Sequence, residues 1–253
     1  MITLFDSHAH YCDGQFDGDR ERLLAAMPDA GLVGILNVPS DLEEAARCIE
    51  LAAGYPFMWA AAGVHPQLAD GWTGESEAEL RRLLTGPKCA ALGEIGLDYV
   101  VGEVPRDIQK AVFLQQLKIA REMDKPVIIH DREAHGDTFD TLKNSGCRGV
   151  LHCYSGSAEL ACELVKLGWY ISFAGVVTFK NAKKSREVVQ AVPPEKLLIE
   201  TDSPYLAPEP FRGTRNDSRL VRYTCEAMAH LLGMTPQALG ALTADNARQC
   251  FSL

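Results

Sequence analysis

Two histidines separated by one residue follow the first apolar run of the chain. The segment F-D-S-H-A-H places His8 and His10 at the end of a predicted strand, with Asp6 shortly before them. Because side chains alternate between the two faces of a strand, His8 and His10 point the same way and Asp6 lies behind them. The pair is open to two interpretations: ordinary polar residues at a strand end, or two ligands of one metal ion.

Histidines and carboxylates also follow five later apolar runs. They occur in G-V-H-P, G-E-I-G-L-D-Y, P-V-I-I-H-D-R, V-L-H-C-Y-S-G and I-E-T-D-S-P. The residues concerned are His65, Glu94, His130, His152, Glu200 and Asp202. Five of the seven histidines of the chain lie at strand ends, and only His135 and His230 fall in helical patterns instead. Histidines with purely structural roles would not be expected to cluster at the ends of predicted strands.

The elements that must position these residues repeat a unit of apolar run, turn and helical pattern. Eight such runs alternate with helical segments, which predicts an α/β protein: a single (β/α)8 TIM barrel over residues 1–253. A doubly wound sheet is the alternative, but a glycine-rich turn normally follows its first strand, where this chain has histidines. Thr235-Pro236 is typical of a helix start and predicts an extra C-terminal helical segment.

In a (β/α)8 barrel the C-terminal strand ends meet on one face, so we expect a single site there. The predicted metal ligands are His8, His10, Glu94, His130, His152 and Asp202. Imidazole and carboxylate together suit Zn²⁺, Mn²⁺ or Mg²⁺. Six ligands are too many for one tetrahedral zinc ion with an open position, so we expect two divalent ions that share a bridging carboxylate. Such a pair generates hydroxide near neutral pH and stabilises the attacking and leaving oxygens.

Three further residues are expected near this site without binding metal. His65 has the weakest case as a ligand because the set is complete without it, so we expect it beside the substrate. Glu200 shares the strand parity of Asp202 but lies one pleat deeper. Glu200 and Asp6 are therefore expected to support the ligands from behind.

Composition excludes several classes of protein. The chain is 47% hydrophobic and 23% charged, as is ordinary for globular proteins. No apolar stretch reaches the length of a membrane span and no signal-peptide pattern opens the sequence, so we expect a cytoplasmic protein with no membrane partner. The eight cysteines form no C-x-x-C pair, which argues against zinc knuckles and a disulfide framework. A net charge of −9 argues against broad nonspecific binding to a polyanion, but not against a local cationic site.

The chain closely resembles the TatD-type deoxyribonuclease family of metal-dependent hydrolases. The resemblance rests on D-S-H-A-H, A-G-V-H-P, L-G-E-I-G-L-D-Y, P-V-I-I-H-D-R-E-A, H-C-Y-S-G and L-L-I-E-T-D-S-P-Y-L, followed by R-G-T-R-N. It implies a metal-dependent barrel hydrolase that acts on DNA from the 3′ end. By motif it also implies one metal held by His8, His10 and Asp202, a second held by His130 and His152, and Glu94 as the bridge.

Two positions depart from the family pattern. The family often continues G-V-H-P with another histidine, where this chain has Gln67. After R-G-x-R-N the family often has Glu-Pro, where this chain has Asp217 and Ser218. We expect both departures to lie in substrate loops, so they bear on substrate preference and leave hydrolysis intact.

The predicted reaction is therefore phosphodiester hydrolysis, and the resemblance implies a 3′–5′ exodeoxyribonuclease, which we expect to prefer single-stranded or frayed ends. A hydroxide bridging two metals attacks phosphorus, while Asp202 orients the water and accepts its proton. Four cations after strands five, seven and eight are candidates for binding flanking phosphates, or else are solvated loop charges: Arg132, Lys180, Arg212 and Arg215. Three aromatic residues are candidate stacking faces for an unpaired base, or else pack in the core or rim: Tyr99, Tyr154 and Phe179.

Two other functions remain open at this point. A binuclear amidase, lactonase or carboxylesterase would use the same metal site on a small substrate, and the acidic surface is compatible with that. A noncatalytic nucleic-acid-binding protein would leave the converging ligands unexplained. No feature of the sequence identifies a protein partner.

Overall fold

A computed structural model describes residues 2–253 of the protein. Eight parallel strands form one sheet in sequential order. They are β1 Leu4–Ala9, β2 Leu32–Asn37, β3 Met58–Ala62, β4 Cys89–Asp98, β5 Val127–Arg132, β6 Gly149–Leu151, β7 Tyr170–Phe173 and β8 Leu197–Ile199. Each of the eight apolar runs contributes one strand, and the sequential parallel order confirms the predicted (β/α)8 barrel.

Helices connect the strands and follow the last one. They are α1 Arg20–Ala25, α2 Leu42–Ala53, α3 Gly74–Leu84, α4 Arg106–Glu122, α5 His135–Leu142, α6 Ala158–Lys166, α7 Lys183–Ala191, α8 Val221–Leu232 and α9 Pro236–Phe251. His135 and His230 lie in α5 and α8, as their patterns predicted. Within residues 2–253 no helix has the length and hydrophobicity that crossing a membrane requires.

The C-terminal helix α9 closes one end of the barrel. Its start follows the predicted pattern, because the Thr235 side chain accepts a hydrogen bond from the amide of Ala238 and Pro236 occupies the first turn. Side chains of α9 pack with the residues that fill the barrel interior, among them Phe5, Leu36, Ala61, Ala91, Ile128, Val150 and Leu198. The Asn246 amide donates to the carbonyls that precede and open β8, at 2.9 Å each. The N-terminal end of the barrel is therefore covered, and the opposite end remains for a site.

The seam between β1 and β8 contains few backbone hydrogen bonds. The amide of His10 donates to the carbonyl of Ser203 at 2.7 Å, and the amide of Asp202 donates to the carbonyl of His8 at 2.9 Å. These two bonds bring residues from opposite ends of the sequence side by side. They set the spacing of three predicted metal ligands.

The buried carboxylate of Asp6 completes this seam. It accepts hydrogen bonds from the Thr201 amide at 2.9 Å, the Thr201 hydroxyl at 2.6 Å and the Ser218 hydroxyl at 2.5 Å. Ser218 is itself buried, and its amide donates to the Tyr11 hydroxyl. The expectation that Ser218 lies in a substrate loop is therefore wrong: its side chain belongs to the packing between β1 and β8.

Candidate metal centre

A cavity of about 700 Å³ opens at the C-terminal ends of the strands. The predicted site residues that line it are His10, His65, Glu94, His130, Arg132, His152 and Asp202. His8 and Glu200 lie fully buried beneath it. The structure thus brings all six predicted metal ligands to one place, together with His65.

Glu94 lies at the centre of the histidines. Its Oε1 atom is 2.6 Å from Nδ1 of His130, 2.8 Å from Nε2 of His152 and 3.7 Å from Nε2 of His65, and its Oε2 atom is 3.4 Å from Nε2 of His8. Burial alone would raise the pKa of Glu94, but the charges of His152 and His8 and the hydrogen bonds from His130 and His152 hold it well below its usual range. A carboxylate that faces histidines on several sides fits the bridging position.

Glycines on either side of Glu94 allow β4 to carry it there. A Cβ atom on Gly96, whose φ is +145°, would lie 2.0 Å from the His130 carbonyl oxygen. A Cβ atom on Gly93 would lie 2.6 Å from the side chain of Ile128 on β5. Because larger residues would push β4 away from β5, the pattern G-E-I-G is required for the approach of Glu94 to His130.

The groups around the His10 ring are arranged to bind a cation. Its Nδ1–H donates to the Val38 carbonyl at 2.8 Å, so in the neutral ring Nε2 is an acceptor. That Nε2 lies 3.1 Å from Nε2 of His8 and 3.2 Å from Oδ1 of Asp202. Acceptors that converge in this way need a metal ion or a proton between them.

Without metal, protons take that role. Burial opposes the charged form of His10, but the hydrogen bond from its ring to Asp202 and the negative charge of Asp202 raise its pKa overall to about 9. Burial likewise opposes protonation of His152, and the charge of Glu94 and the hydrogen bond with Glu200 raise its pKa well above the usual value. The site is therefore a strong binder of positive charge.

The donor set fits divalent metal ions. Three groups of potential ligand atoms lie within 4.8 Å of one another, namely His8–His10–Glu94, His8–His152–Glu200 and His65–Glu94–His130. The Nδ1 atom of His8 is buried without a hydrogen-bond partner. Imidazole nitrogen and carboxylate oxygen are the ligands of zinc and manganese sites.

The two residues predicted to support the ligands are placed differently. Glu200 accepts from the Cys153 amide at 2.6 Å and the Ser172 hydroxyl at 2.5 Å, and its Oε1 lies 3.4 Å from Nδ1 of His152. It thus lies behind His152, as expected of a supporting residue. Asp6 contacts neither imidazole ring of the β1 pair; it reaches only the backbone amide of His8, at 3.3 Å, because its carboxylate is occupied at the barrel seam.

Three of the four predicted phosphate-binding cations lie away from the cavity lining. Arg215 donates to both carboxylate oxygens of Asp19, at 2.8 and 2.7 Å, and to the carbonyl of Gln15. Arg215 is therefore a poor candidate for holding substrate, which corrects the sequence expectation. Arg212 lies 4.4 Å above the ring of Phe179, and Lys180 is exposed.

All three predicted stacking faces are also occupied, Phe179 by the guanidinium of Arg212. Tyr154 is only 4% exposed, and its hydroxyl donates to the Ser157 carbonyl. The ring of Tyr99 lies under the Arg106 guanidinium, at 4.1 Å. Sequence reasoning missed Tyr205, which lines the cavity, is 49% exposed and lies 6.2 Å from the ring of His10. Its place in D-S-P-Y-L, three residues after Asp202, was the available signal.

Sequence reasoning also missed Asp98, the last residue of β4. Its Oδ2 lies 3.2 Å from Nε2 of His130 and accepts a hydrogen bond from the Gln67 side chain at 2.9 Å. Glu94 and Asp98 are four residues apart on one strand, so their side chains share a face. That parity was the signal. It also places Gln67, one of the two departures from the family pattern, at the edge of the metal centre.

Fold and site together define a class of protein. A (β/α)8 barrel with a cluster of histidines and carboxylates at the C-terminal strand ends is the architecture of a metal-dependent hydrolase. The family model described as TatD related DNase matches residues 5–252. The chain belongs to the TatD family of metal-dependent hydrolases, and the predicted resemblance is confirmed.

Relatives and solved structures agree with this assignment. The chain is 42% identical over 253 residues to the uncharacterized metal-dependent hydrolase YabD of Bacillus subtilis, covering 99% of each chain. It is 35% identical over 259 residues to the 3′-5′ ssDNA/RNA exonuclease TatD of Edwardsiella piscicida, covering 99% of this chain and 100% of the relative. The crystal structure of the TatD homologue YjjV from Escherichia coli matches with a TM-score of 0.93 at 30% identity, covering 99% of this chain and 98% of the other.

Proposed function

We propose that this TatD-family hydrolase cleaves phosphodiester bonds of DNA, working from the 3′ end of single-stranded or frayed strands. The name of the Edwardsiella piscicida relative, an exonuclease of single-stranded DNA and RNA with 3′-5′ polarity, supports the proposal. A second relative of the same name, from Rahnella, is 33% identical over 260 residues. The feature of this chain that supports an anionic substrate is the environment of one arginine.

Arg132 is a free cation on the wall of a cavity lined by histidines and carboxylates. It is the last residue of β5 and lines the cavity with its side chain exposed. Every other arginine among residues 2–253 contacts an acid, a carbonyl oxygen or an aromatic ring. Arg132 has no such contact within the described chain. An unpaired guanidinium suits a phosphate oxygen, because the hydrogen bond is then assisted by opposite charge, whereas a neutral ester or amide offers it only an uncharged carbonyl oxygen.

The proposed centre holds two divalent ions. His8, His10 and Asp202 would bind one, His130 and His152 the other, and Glu94 would contact both. Such ions, when bound, polarise phosphoryl oxygens and lower the pKa of water.

Two side chains beside this centre are proposed to handle substrate and protons. Burial lowers the pKa of His65 to about 4, so its ring is neutral at pH 7. Nδ1 of His65 accepts from the Gln67 amide at 3.2 Å, which leaves the proton on Nε2, on the side of Glu94. His65 would therefore donate a hydrogen bond to a phosphate oxygen. Asp202, whose pKa is lowered against the effect of burial by its contact with His10, stays ionised and would accept the proton of the attacking water.

Turnover of a 5′-labelled single-stranded oligonucleotide tests the proposal. With Mg²⁺, Mn²⁺ or Zn²⁺ we expect a ladder that shortens from the 3′ end, no reaction with chelator, and slower cleavage of a blunt duplex. Parallel assays use a p-nitrophenyl phosphodiester, a p-nitrophenyl carboxylester and a lactone. Efficient turnover of the ester or lactone, with the oligonucleotide untouched, would instead establish the small-substrate function and refute the nuclease.

A further inference from the structure

Asp98 has the contacts of a carboxylate that positions a neighbouring side chain. Its side chain is fully buried at the end of β4. Oδ1 accepts hydrogen bonds from the amides of Val100 and Val101, at 2.9 Å each. Oδ2 accepts from the Gln67 amide group at 2.9 Å and lies 3.2 Å from Nε2 of His130. With three donors already directed at it, this carboxyl group has no room for a proton of its own.

That arrangement keeps a hydrogen on one nitrogen of His130, Nε2. Opposite an ionised oxygen, Nε2 must be an N–H donor. The other nitrogen, Nδ1, faces the ionised Glu94 at 2.6 Å and donates to it in this structure, so a bound metal ion would replace the Nδ1 proton while Asp98 retains the one on Nε2. A ring with its proton on Nε2 presents the Nδ1 lone pair to the proposed metal position, and the reverse tautomer would present a proton there.

Gln67 connects this contact with the neighbouring histidine. Its side-chain amide donates to Asp98, and its backbone amide donates to Nδ1 of His65 at 3.2 Å. A single residue thereby contributes to the hydrogen-bonding state of two imidazoles on the same side of Glu94. Gln67 is also the position at which this chain departs from the usual histidine of the family.

We infer that Asp98, held by Gln67, is a positioning residue that fixes the tautomer and ring orientation of His130 for the second metal ion. The inference rests on the ligand role of His130 in the proposed function. Carboxylates that hold a ligating histidine typically change metal affinity by about 10- to 100-fold. Asparagine cannot replace Asp98, because only one of its two terminal atoms accepts hydrogen bonds while four donors surround the group.

Metal titration by calorimetry, without substrate, tests the inference. Asp98→Asn should weaken binding of one Zn²⁺ or Mn²⁺ equivalent by about 10- to 100-fold. Gln67→Leu should give a smaller loss at the same site, and it keeps the test usable if Asp98→Asn fails to fold. Asp137→Asn is the matched control. Asp137 binds Lys110 and the hydroxyl of Tyr99, the residue that follows Asp98, and it contacts no histidine. This variant should bind metal like the wild type.

Nitrogen-15 NMR of histidine-labelled, Zn²⁺-loaded protein gives a second readout that a merely structural role would not move. We expect His130 to carry hydrogen on Nε2 and metal on Nδ1, with an N–H protected from solvent exchange that Asp98→Asn exposes. Metal on Nε2 of His130, or unchanged metal affinity in both Asp98→Asn and Gln67→Leu, would overturn the inference. Unchanged affinity in His130→Ala would instead refute the ligand set of the proposed function, so the two failures are distinguishable.

Discussion

The floor of the cavity and its rim are built on opposite principles. The floor, formed by His8, Glu94, His152 and Glu200, is buried, and each carboxylate there has several partners. The rim, formed by Asp13, Leu68, Arg132 and Tyr205, is partly or largely exposed. Two of these rim residues contact each other, because the Tyr205 hydroxyl donates a hydrogen bond to Asp13 at 2.7 Å.

This difference shows that the floor side chains are fixed before anything binds, whereas the rim side chains can adjust when substrate binds. On the floor, several short contacts to one carboxylate restrain the side chains in one arrangement. On the rim, the Arg132 guanidinium has no such contact and can bind a group of the incoming substrate. We therefore expect floor substitutions to act on metal binding and rim substitutions to act on substrate binding alone.

The largest expected effect comes from the floor. Glu94→Gln removes the negative charge shared by the histidines, so both metal sites should weaken and activity should fall by at least about a hundredfold, more than the loss of an outer partner typically causes. Elemental analysis after dialysis, together with turnover, checks this. Glu44→Gln is the control: Glu44 lines the same cavity but bonds only the Ser40 amide, so metal content should stay unchanged. Full metal content in Glu94→Gln would refute the bridging role.

The next effect is the competition of protons with metal. Because the pKa of His10 is raised to about 9 despite burial, through Asp202, metal must displace a proton at pH 7. Metal affinity should therefore rise by about tenfold per pH unit for each proton displaced between pH 6.5 and 9. Calorimetry in buffers of different ionisation enthalpy counts the released protons. A pH-independent affinity over this range would contradict the convergence of acceptors on one cation.

The same shift predicts opposite stability profiles for the two states. A group whose pKa is raised on folding stabilises the metal-free protein fully below about pH 6.5, its unfolded value, and this contribution disappears as the pH rises through about 9. The Tm of the metal-free protein should fall over that interval. In saturating metal the Tm should hold or rise, because binding strengthens with pH. Parallel Tm curves in the two states would refute the assignment of His10.

A moderate effect is expected on the rim, from Arg132. Arg132→Ala should weaken single-stranded DNA binding by about tenfold, since a hydrogen bond to a charged group contributes about 1.5–3 kcal/mol. It should also reduce the magnitude of the log–log salt slope by about 0.7, the value for one phosphate on a single strand. Arg215→Ala should leave the slope unchanged, because Arg215 already binds Asp19. If both variants change the salt slope equally, Arg215 contacts the substrate after all.

The smallest expected effect concerns Tyr205. Its exposed ring offers a stacking face at the mouth of the cavity, and stacking on a base contributes about 1–3 kcal/mol. Because the ring is half exposed, Tyr205→Ala should weaken oligonucleotide binding by about fivefold, at the lower end of that range. Turnover of a p-nitrophenyl phosphodiester, which has no base, should not change. Loss of both activities would place Tyr205 in the support of His10 instead.

The contrast between floor and rim also explains what could be predicted from the sequence. His8, Glu94, His130 and His152 follow apolar runs, and the barrel brings the ends of those runs together whatever the loops do. Their convergence is thus a consequence of topology. Arg132 was predicted for the same reason, as the last residue of a strand.

The residues that sequence reasoning misplaced depend on contacts between distant segments. Arg215 is occupied because Asp19, 196 residues away, lies beside it. Ser218 is buried because Asp6, 212 residues away, needs a donor. Local pattern carries no information on such pairs. Asp98 is different: its spacing from Glu94 was readable, but an acid in a strand-end turn has many ordinary roles.

The seam between β1 and β8 has a consequence for the order in which the protein gains activity during its synthesis. His10 and Asp202 meet at 3.2 Å although 192 residues separate them. At ribosomal rates of about 5–20 residues per second, His10 emerges roughly 10 to 40 seconds before Asp202. During that interval the first of the two proposed metal positions still lacks its carboxylate. A hydrolase assembled in this way acquires its proposed reactive centre only after the segment that contains Asp202 has been translated.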